Sequence, residues 1–160
     1  MRKLEEFYAR GHPNISATHA ATFEITRDSR LTRRGNCVIG VGASKGPRDF
    51  SSEFKQLCQH DDAEIQVELS VEAVTEVIRG RGNAKLTLSH PNECVGRKST
   101  YISDRTIMVG VDKAACDLDR EFVALLTSSE TMLHVLLTVE VGLSSQQRRW
   151  RSEPDLLQLP

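Results

Sequence analysis

The sequence lacks most of the features that identify a function directly. Neither positive nor negative charge is in large excess, since 21 Lys and Arg residues are balanced by 22 Asp and Glu residues, for a formal net charge of −1. No overall basic field therefore attracts a nucleic acid or an anionic membrane surface. Aromatic residues make up 5% of the chain, too few for the stacking surface of a single-strand-binding sheet. We do not expect a nucleic-acid partner.

Long apolar runs are missing as well. No run approaches the roughly 20 residues that a membrane-spanning helix requires. Near the start of the chain, Glu5 and Glu6 stand where a secretory signal would have its apolar stretch. We expect a soluble cytoplasmic protein without a membrane partner.

Cysteine is present but does not follow a metal-binding pattern. The four cysteines form no C-x-x-C pair, so the spacing of a zinc ribbon or finger is absent. The sequence has no H-E-x-x-H motif and no complete Gly-rich phosphate loop. We expect reduced, mostly buried thiols, no serine nucleophile, no metal and no cofactor.

The size and composition indicate one globular domain. The chain has 160 residues, of which 39% are hydrophobic and 27% charged, as in an ordinary single domain. We assign residues 1–143 to this domain. Residues 144–160 follow Gly142, are mostly polar and include Pro154 and Pro160, which predicts a disordered tail.

An internal repeat organises the domain. Lys45, Asp49 and Glu53 recur at a constant offset as Lys113, Asp117 and Glu121. The alternating residues 65–71 recur at the same offset in 133–139. We predict two tandem units, residues 7–75 and 76–141, that descend from one ancestral unit.

Each unit has the same predicted elements. Residues 15–26 and 65–71 alternate between apolar and polar side chains, as in half-buried strands. Phe50, Phe54 and Leu57 recur at helical spacing, which predicts a helix of about three turns capped by Ser44, with Asp112 as the cap in the second unit. We predict a mainly β fold: a duplicated, pseudo-twofold symmetric sandwich or barrel of about eight to ten strands with two short helices, joined mostly by hairpin turns.

Several stretches resemble a known family. They include Phe7-Tyr8-Ala9-Arg10-Gly11-His12-Pro13-Asn14, Arg34-Gly35-Asn36-Cys37-Val38-Ile39-Gly40-Val41, Arg97-Lys98-Ser99 and Asp112-Lys113-Ala114-Ala115-Cys116-Asp117. The family is small, largely archaeal and catalogued only as a domain of unknown function, family 371. The resemblance covers residues 6 to about 141. It implies a mostly β, sandwich-like fold and implies no activity, substrate or cofactor.

His19 and His90 occupy the same place in the two units, on the apolar faces of predicted strands. An imidazole that faces a core must be hydrogen-bonded there or bind something. We predict two structural histidines bonded to backbone groups. The alternative is a pair that faces across the pseudo-twofold axis and binds a divalent metal or an anion.

Lys45 and Lys113 begin the two predicted helices, each one turn before an aspartate, Asp49 or Asp117. Side chains at this spacing meet on one helix face, which favours a simple ion pair. A lysine beside the free N–H groups of a helix start also suits a phosphate or carboxylate. Both interpretations stay open at the level of sequence.

Two further polar segments are candidates for a ligand site. His12 and Asn14 lie in a predicted turn, and turns with polar side chains often line binding sites. Asp104 and Arg105 precede a predicted buried strand, where they could form an ion pair or orient a ligand. The full set of candidate ligand-binding residues is His12, Asn14, His19, Lys45, His90, Asp104, Arg105 and Lys113.

These observations favour a binding module without catalysis, which takes a small anionic ligand or a protein partner. A homodimer is compatible with the sequence. The alternative is a small enzyme that acts on a phosphate- or carboxylate-bearing substrate in a polar pocket near the two helix N-termini. The catalytic residues of such an enzyme are not identified by any motif.

Overall fold

The computed structural model describes residues 1–142. The strands are β1 (Arg2–Arg10), β2 (Thr22–Thr26), β3 (Val38–Gly40), β4 (Glu64–Val71), β5 (Val74–Arg81), β6 (Glu93–Arg97), β7 (Thr106–Met108) and β8 (Met132–Glu140). The helices are α1 (Ser52–Cys58) and α2 (Arg120–Leu125), each preceded by one 3₁₀ turn, at Pro47–Asp49 and Ala115–Asp117. A first sheet has the order β1-β8-β4-β5, and a second sheet has the order β3-β2-β6-β7. The mainly β fold with two short helices is confirmed, and within residues 1–142 the two sheets do not close into a barrel.

The hydrophobic core is formed by one face of each sheet and by the two helices. Along β4 the inward residues are buried and alternate with half-buried polar residues. Phe7 of β1 contacts Phe50, with ring centroids 6.1 Å apart, and Phe50 contacts Phe54 of α1 at 5.4 Å. These rings pack α1 against the edge of the first sheet. The period-2 pattern predicted for β4 and β8 is therefore the pattern by which the core is filled.

The element order of residues 2–71 recurs in residues 74–140, as three strands, a 3₁₀ turn, a helix and a strand. In both halves the first and last strands lie in the first sheet and the two strands between them lie in the second sheet. The halves are interleaved, because β8 pairs with both β1 and β4. In the second sheet, β2 and β6 form the central antiparallel pair. Descent from one unit and twofold symmetry stay predictions.

One predicted strand begins later than expected. Of residues 15–26, only those from Thr22 onward form a strand, β2, and the residues before it form an irregular loop. Ala17 in this loop and Leu88 in the loop before β6 have φ angles of 48° and 50°, which a strand does not accommodate. Ala17 is nonetheless buried. The alternation therefore reflects the burial of a loop and not strand pairing.

The helices also begin later than predicted. The N-cap of α1 is Ser51, whose hydroxyl accepts a hydrogen bond from a backbone N–H of the first turn at 3.2 Å. The predicted cap, Ser44, accepts instead from the backbone N–H of Tyr8 at the edge of β1. The N-cap of α2 is Asp119 and not Asp112. Each α-helix consequently has about two turns.

Most connections are not hairpins, so that prediction is wrong. Among residues 1–142, consecutive strands form a hairpin at β4–β5 alone. The pairs β2–β3 and β6–β7 are parallel, and parallel neighbours need a crossover connection. The second crossover, residues 98–105, lies against the face of the second sheet that points away from the core, where Ser103 contacts Arg97.

No helix among residues 1–142 is long and apolar enough to cross a membrane. The predicted tail, residues 144–160, lies outside the described part of the chain. Its disorder and the domain boundary at residue 143 stay predictions.

Candidate functional site

His19 and His90 lie in the loops before β2 and β6, half-buried, and not on strands as predicted. The Nδ1 atom of His19 accepts hydrogen bonds from the backbone N–H groups of Ala21 and Thr22, both at 3.1 Å. The Nδ1 atom of His90 accepts from Asn92 at 3.1 Å and Glu93 at 2.9 Å. An Nδ1 that accepts leaves the proton of the neutral ring on Nε2. Each imidazole therefore closes the turn that leads into its strand.

Residues 1–142 contain no group of three or more His, Cys, Asp or Glu side chains placed to hold a metal ion. His19 and His90 are held by local backbone bonds within their own loops. Each histidine thus has backbone partners in its own loop, and both interpretations of the pair stay predictions.

Lys45 and Lys113 do not pair with Asp49 and Asp117. The Nζ atom of Lys45 contacts the buried carboxylate of Glu5 on β1 at 2.8 Å, and that of Lys113 contacts the buried Glu76 on β5 at 2.9 Å. The second carboxylate oxygen of Glu5 accepts from the N–H of Ser51, the α1 cap, at 2.7 Å. Glu76 accepts in the same way from Asp119, the α2 cap, at 2.7 Å. Each helix start thus binds a carboxylate that belongs to the chain itself.

These two helix starts do not form one pocket. Glu5 and Glu76 lie on β1 and β5, the opposite edges of the first sheet. Three strand spacings separate the edges, about 14 Å. Asp49 and Asp117 have other partners, since Asp49 contacts Arg27 at 3.2 Å and Asp117 contacts Lys98 at 2.7 Å.

His12, Asn14 and Asp104 hold loops in place. The Nδ1 atom of His12 accepts from the N–H of Asn14 at 2.9 Å, and Asn14 Nδ2 donates to the carbonyl of Leu31 at 2.8 Å. This bond fastens the first crossover, residues 27–37. The carbonyl of Asp104 accepts from the N–H of His90 at 3.0 Å, while the residue itself is exposed.

Residues 42–46 have the G-x-S-x-G spacing of a nucleophile elbow, which would favour a serine nucleophile against our expectation of none. In such an elbow the serine itself is strained. Here the positive φ, 59°, belongs to Gly42 and not to Ser44. The corresponding residue of the second half, Asp112, accepts from the N–H of Arg79 at 2.9 Å, as Ser44 accepts from Tyr8 at 3.1 Å. Ser44 therefore covers the edge of β1.

Arg105 belongs to a group of polar and charged side chains whose other members the sequence did not indicate as a site. It contacts Glu93 at 2.6 Å and Glu24 at 3.7 Å. These residues, with Arg97 and Cys37, form what we call the outer cluster: Glu24, Cys37, Glu93, Arg97 and Arg105. The outer cluster lies on the outward face of the second sheet. Side chains alternate along a strand, and Phe23 of β2 is buried in the core, so its neighbour Glu24, which pairs with Val95 of β6, faces outward.

Glu24 is the most deeply placed carboxylate of the outer cluster, with its side chain 12% exposed. Burial raises the pKa of Glu24, the negative charge of Glu93 raises it further, and Arg105 and Arg97 act in the opposite direction. Two carboxylates thus share the guanidinium of Arg105. Burial also raises the pKa of the Cys37 thiol, as does the charge of Glu24, so Cys37 is a protonated, weakly nucleophilic thiol.

Arg97 is held by neutral groups alone. Its Nε donates to the Thr106 hydroxyl at 2.8 Å, its Nη2 donates to the Ser103 hydroxyl at 3.1 Å, and its guanidinium lies 4.9 Å from the centre of the Tyr101 ring. No carboxylate among residues 1–142 lies within ion-pair distance of it. Burial lowers the pKa of Arg97, and the charge of Arg105 lowers it further. The charge of Glu24 acts in the opposite direction but at longer range. The site is therefore an oriented, partly desolvated cation that forms no direct ion pair with a carboxylate among residues 1–142.

Sequence patterns contain only part of this site. The alternation around β2 does place Glu24 on the polar face, but a polar strand position is usually solvated. Arg97 lies in the family-like run Arg97-Lys98-Ser99, but that resemblance implies no role for it, and Glu93 lies in no motif. The partners of both residues come from the second crossover and from β7. A signal was present in Asp104-Arg105-Thr106, of which Arg105 and Thr106 reach the site.

Comparison with known proteins finds related chains without an assigned activity. A family model described as "Domain of unknown function (DUF371)" matches residues 7–140. The chain is similar to the uncharacterised protein MJ0206 of Methanocaldococcus jannaschii, with 42% identity over 129 residues, which cover 81% of this chain and 95% of that protein.

Proposed function

The chain belongs to the DUF371 family, whose description names no activity, and we propose that it is a non-catalytic binding module that takes a small anionic ligand at Arg97. The ligand class is a carboxylate, phosphate or sulfate group. It would bind on the outward face of the second sheet, beside the crossover of residues 98–105.

The single observation that carries this proposal is the geometry around Arg97. Its guanidinium is oriented by Thr106, Ser103 and the Tyr101 ring, and no carboxylate among the described residues forms a direct ion pair with it. A planar guanidinium held in one orientation suits the paired oxygens of a carboxylate or phosphate. Because the orientation is already set, binding costs little further side-chain entropy.

The helix starts are poorer ligand sites than Arg97. Glu5 and Glu76 already occupy the lysines and the N–H groups there. An external anion would have to displace a buried carboxylate, which would be left without its partners at a substantial cost. We therefore expect an external anion at Arg97 and not at the helix N-termini.

Ligand binding is expected to depend on pH through Glu24. A bound anion adds negative charge near Glu24 and raises the pKa of that carboxyl, so the complex takes up protons. Affinity should therefore increase as the pH falls from about 8 to about 5.5. Sulfate is the suitable probe, because it does not itself titrate in this range.

The experiment is an NMR titration of the full chain with sulfate, inorganic phosphate and acetate, with Arg97→Gln as the variant and Arg79→Gln as its control. Arg79 is an exposed arginine on the first sheet. We expect Arg97→Gln to weaken binding about tenfold or more, as for loss of a charge-assisted bond, and Arg79→Gln to leave it unchanged. Absence of binding by all three anions, or equal weakening by both variants, overturns the proposal.

A cell-interior location belongs to the same proposal. The four cysteines are free thiols in the described chain, and Cys58 and Cys94 are buried. Free thiols persist in the reducing cytosol, which supports a cytoplasmic protein.

A further inference from the structure

The first sheet has an edge, β1, that is covered along only part of its length. One side of β1 pairs with β8. On the other side, Arg10 exchanges backbone hydrogen bonds with Val41, at 2.7 and 2.8 Å, and Tyr8 bonds to the backbone N–H and side chain of Ser44. The chain at residues 41–44 thus protects the C-terminal half of the strand.

Among residues 1–142, no segment covers the N-terminal half of β1 in this way. In an antiparallel ladder, alternate residues direct their backbone N–H and C=O groups to the same side. The backbone groups of Tyr8 and Arg10 point away from β8. By the same alternation, those of Arg2, Leu4 and Glu6 also point away from it. No backbone bond among residues 1–142 satisfies these groups on the open side. An open strand edge is a template for another strand.

The sequence along this open edge is self-complementary in charge. It reads Arg2-Lys3-Leu4-Glu5-Glu6. If a second copy pairs antiparallel about Leu4, Arg2 lies opposite Glu6 of the second copy. Within one chain these exposed residues also contact Glu140, at 3.5 Å, and His134, at 3.0 Å. Lys3 lies opposite Glu5, but both oxygens of the buried Glu5 already have partners, so the two Arg2–Glu6 pairs supply the charge complementarity. Opposite charges at directly facing positions stabilise a strand pair, and like charges destabilise it. A parallel arrangement in register would place like charges together.

The contacts at the centre of this pairing are apolar. Leu4 is 50% exposed and would meet Leu4 of the second copy. By strand parity, Arg2, Leu4 and Glu6 are the residues that exchange backbone bonds across the junction. The corresponding open positions of β5, at Thr75 and Val77, carry no such charge pattern.

We propose that the protein forms a twofold homodimer through antiparallel pairing of β1 with β1 of a second copy, centred on Leu4. The two first sheets then form one continuous eight-stranded sheet. Each copy contributes the same surface, as closed twofold symmetry requires. A junction of one short strand is small, so the dimer is reversible and populated at protein concentrations of about 100 µM or above.

The test is sedimentation equilibrium of the full chain with a free N-terminus, because the Met1 amino group bonds to the carbonyl of Val141 at 2.8 Å. Arg2→Glu and Glu6→Arg should each abolish the dimer by placing like charges opposite each other. A mixture of the two variants should dimerise, since every facing pair is then opposite in charge. High salt should weaken the wild-type dimer.

Leu4→Pro gives a second test that is independent of charge. A proline at this position removes an outward N–H without breaking a bond to β8, and should yield a folded monomer. Thr75→Pro, at the open edge of β5, is the matched control and should leave the dimer intact. A monomeric wild-type protein at several hundred µM, roughly, overturns the proposal. A dimer that survives both Arg2→Glu and Leu4→Pro overturns it as well. The thermal melt of each variant verifies that the variant is folded.

Discussion

Glu5 and Glu24 are both shielded carboxylates, but they differ in their hydrogen-bond and ion-pair partners. Glu5 has a lysine ammonium and a backbone N–H, one for each oxygen. Glu24 has no such full set, because it shares Arg105 with Glu93. Burial then dominates at Glu24 and raises the pKa of its carboxyl above the ordinary value of 4.5. The ionised form of Glu24 is therefore less favourable in the folded protein than in the unfolded chain.

The raised pKa of Glu24 predicts how Glu24→Gln changes the stability of the protein. A raised pKa contributes stability that is fully present below the unfolded-state pKa and is lost as the pH rises through the folded-state pKa. Glu24→Gln should consequently raise the melting temperature relative to wild type at about pH 8 and lose this advantage at about pH 4. Thermal melts across this range check it, with Glu130→Gln as an exposed control. A lower melting temperature of Glu24→Gln at the alkaline end would mean that attraction to Arg105 outweighs burial.

His19 acts through one acceptor atom, so an asparagine should replace it well. The chain supports this expectation: Asn83 Oδ1 accepts from the N–H of Lys85 at 2.9 Å, as His12 Nδ1 accepts from Asn14 at 2.9 Å. An asparagine side chain bonds readily to the backbone two residues on.

We expect His19→Asn to stay within about 0.5 kcal/mol of wild type and His19→Ala to lose about 1 kcal/mol of unfolding free energy. Chemical denaturation measures both. A chelator should have no effect on either midpoint. A chelator-dependent loss restored by zinc would favour the metal-binding alternative for His19 and His90.

At the scale of elements, the start of each helix depends on a strand of the first sheet. α1 begins where Ser51 donates its N–H to Glu5 of β1, and α2 begins where Asp119 donates to Glu76 of β5. A carboxylate near a helix start also interacts favourably with the helix dipole. These bonds join each short helix to the sheet edge against which it packs, so helices of about two turns, marginal by themselves, are held in place.

Glu5→Gln should therefore destabilise the protein, because a neutral amide cannot accept these bonds as a carboxylate does. We expect a loss of about 2 kcal/mol and a melting temperature about 4–8 °C lower. Glu76→Gln should give a similar loss, measured in the same denaturation series. If Glu5→Gln has no more effect than the exposed Glu130→Gln, the bond to Ser51 is not a significant contributor to helix formation.

At the scale of the whole molecule, the two halves cannot bury their sheets separately. β8 lies between β1 and β4, and β2 pairs with β6, so both sheets combine strands from both halves. A half by itself would expose the apolar faces of its strands and the unpaired edges of β4 or β8. Folding should therefore be cooperative across the chain.

Fragments cut at the β4–β5 turn, residues 1–73 and 74–160, test this interleaving. Each fragment alone should lack cooperative thermal unfolding and dispersed NMR signals. An equimolar mixture should recover both, because the pairing of β8 with β1 and β4 is available again. Cooperative unfolding of either fragment alone would contradict the prediction.

Several properties of this protein follow from the sequence alone. The period-2 alternation of β4 and β8 and the helical spacing of Phe54 and Leu57 predict the mainly β fold with two helices, because both periods are local properties of the chain. The family resemblance also rests on local runs of residues. The pattern failed at Ala17 and Leu88, where loop residues are buried as regularly as strand residues are.

Tertiary structure alone decided which charges meet. Lys45 is close in sequence to Asp49, yet it pairs with Glu5, because β1 passes beside the start of α1. Arg97, Thr106 and Ser103 come together because β6 and β7 are parallel and their crossover returns over the sheet. Such partners depend on strand order and on the depth at which each side chain lies. Those quantities are set by the packing of the whole chain, and no local period records them.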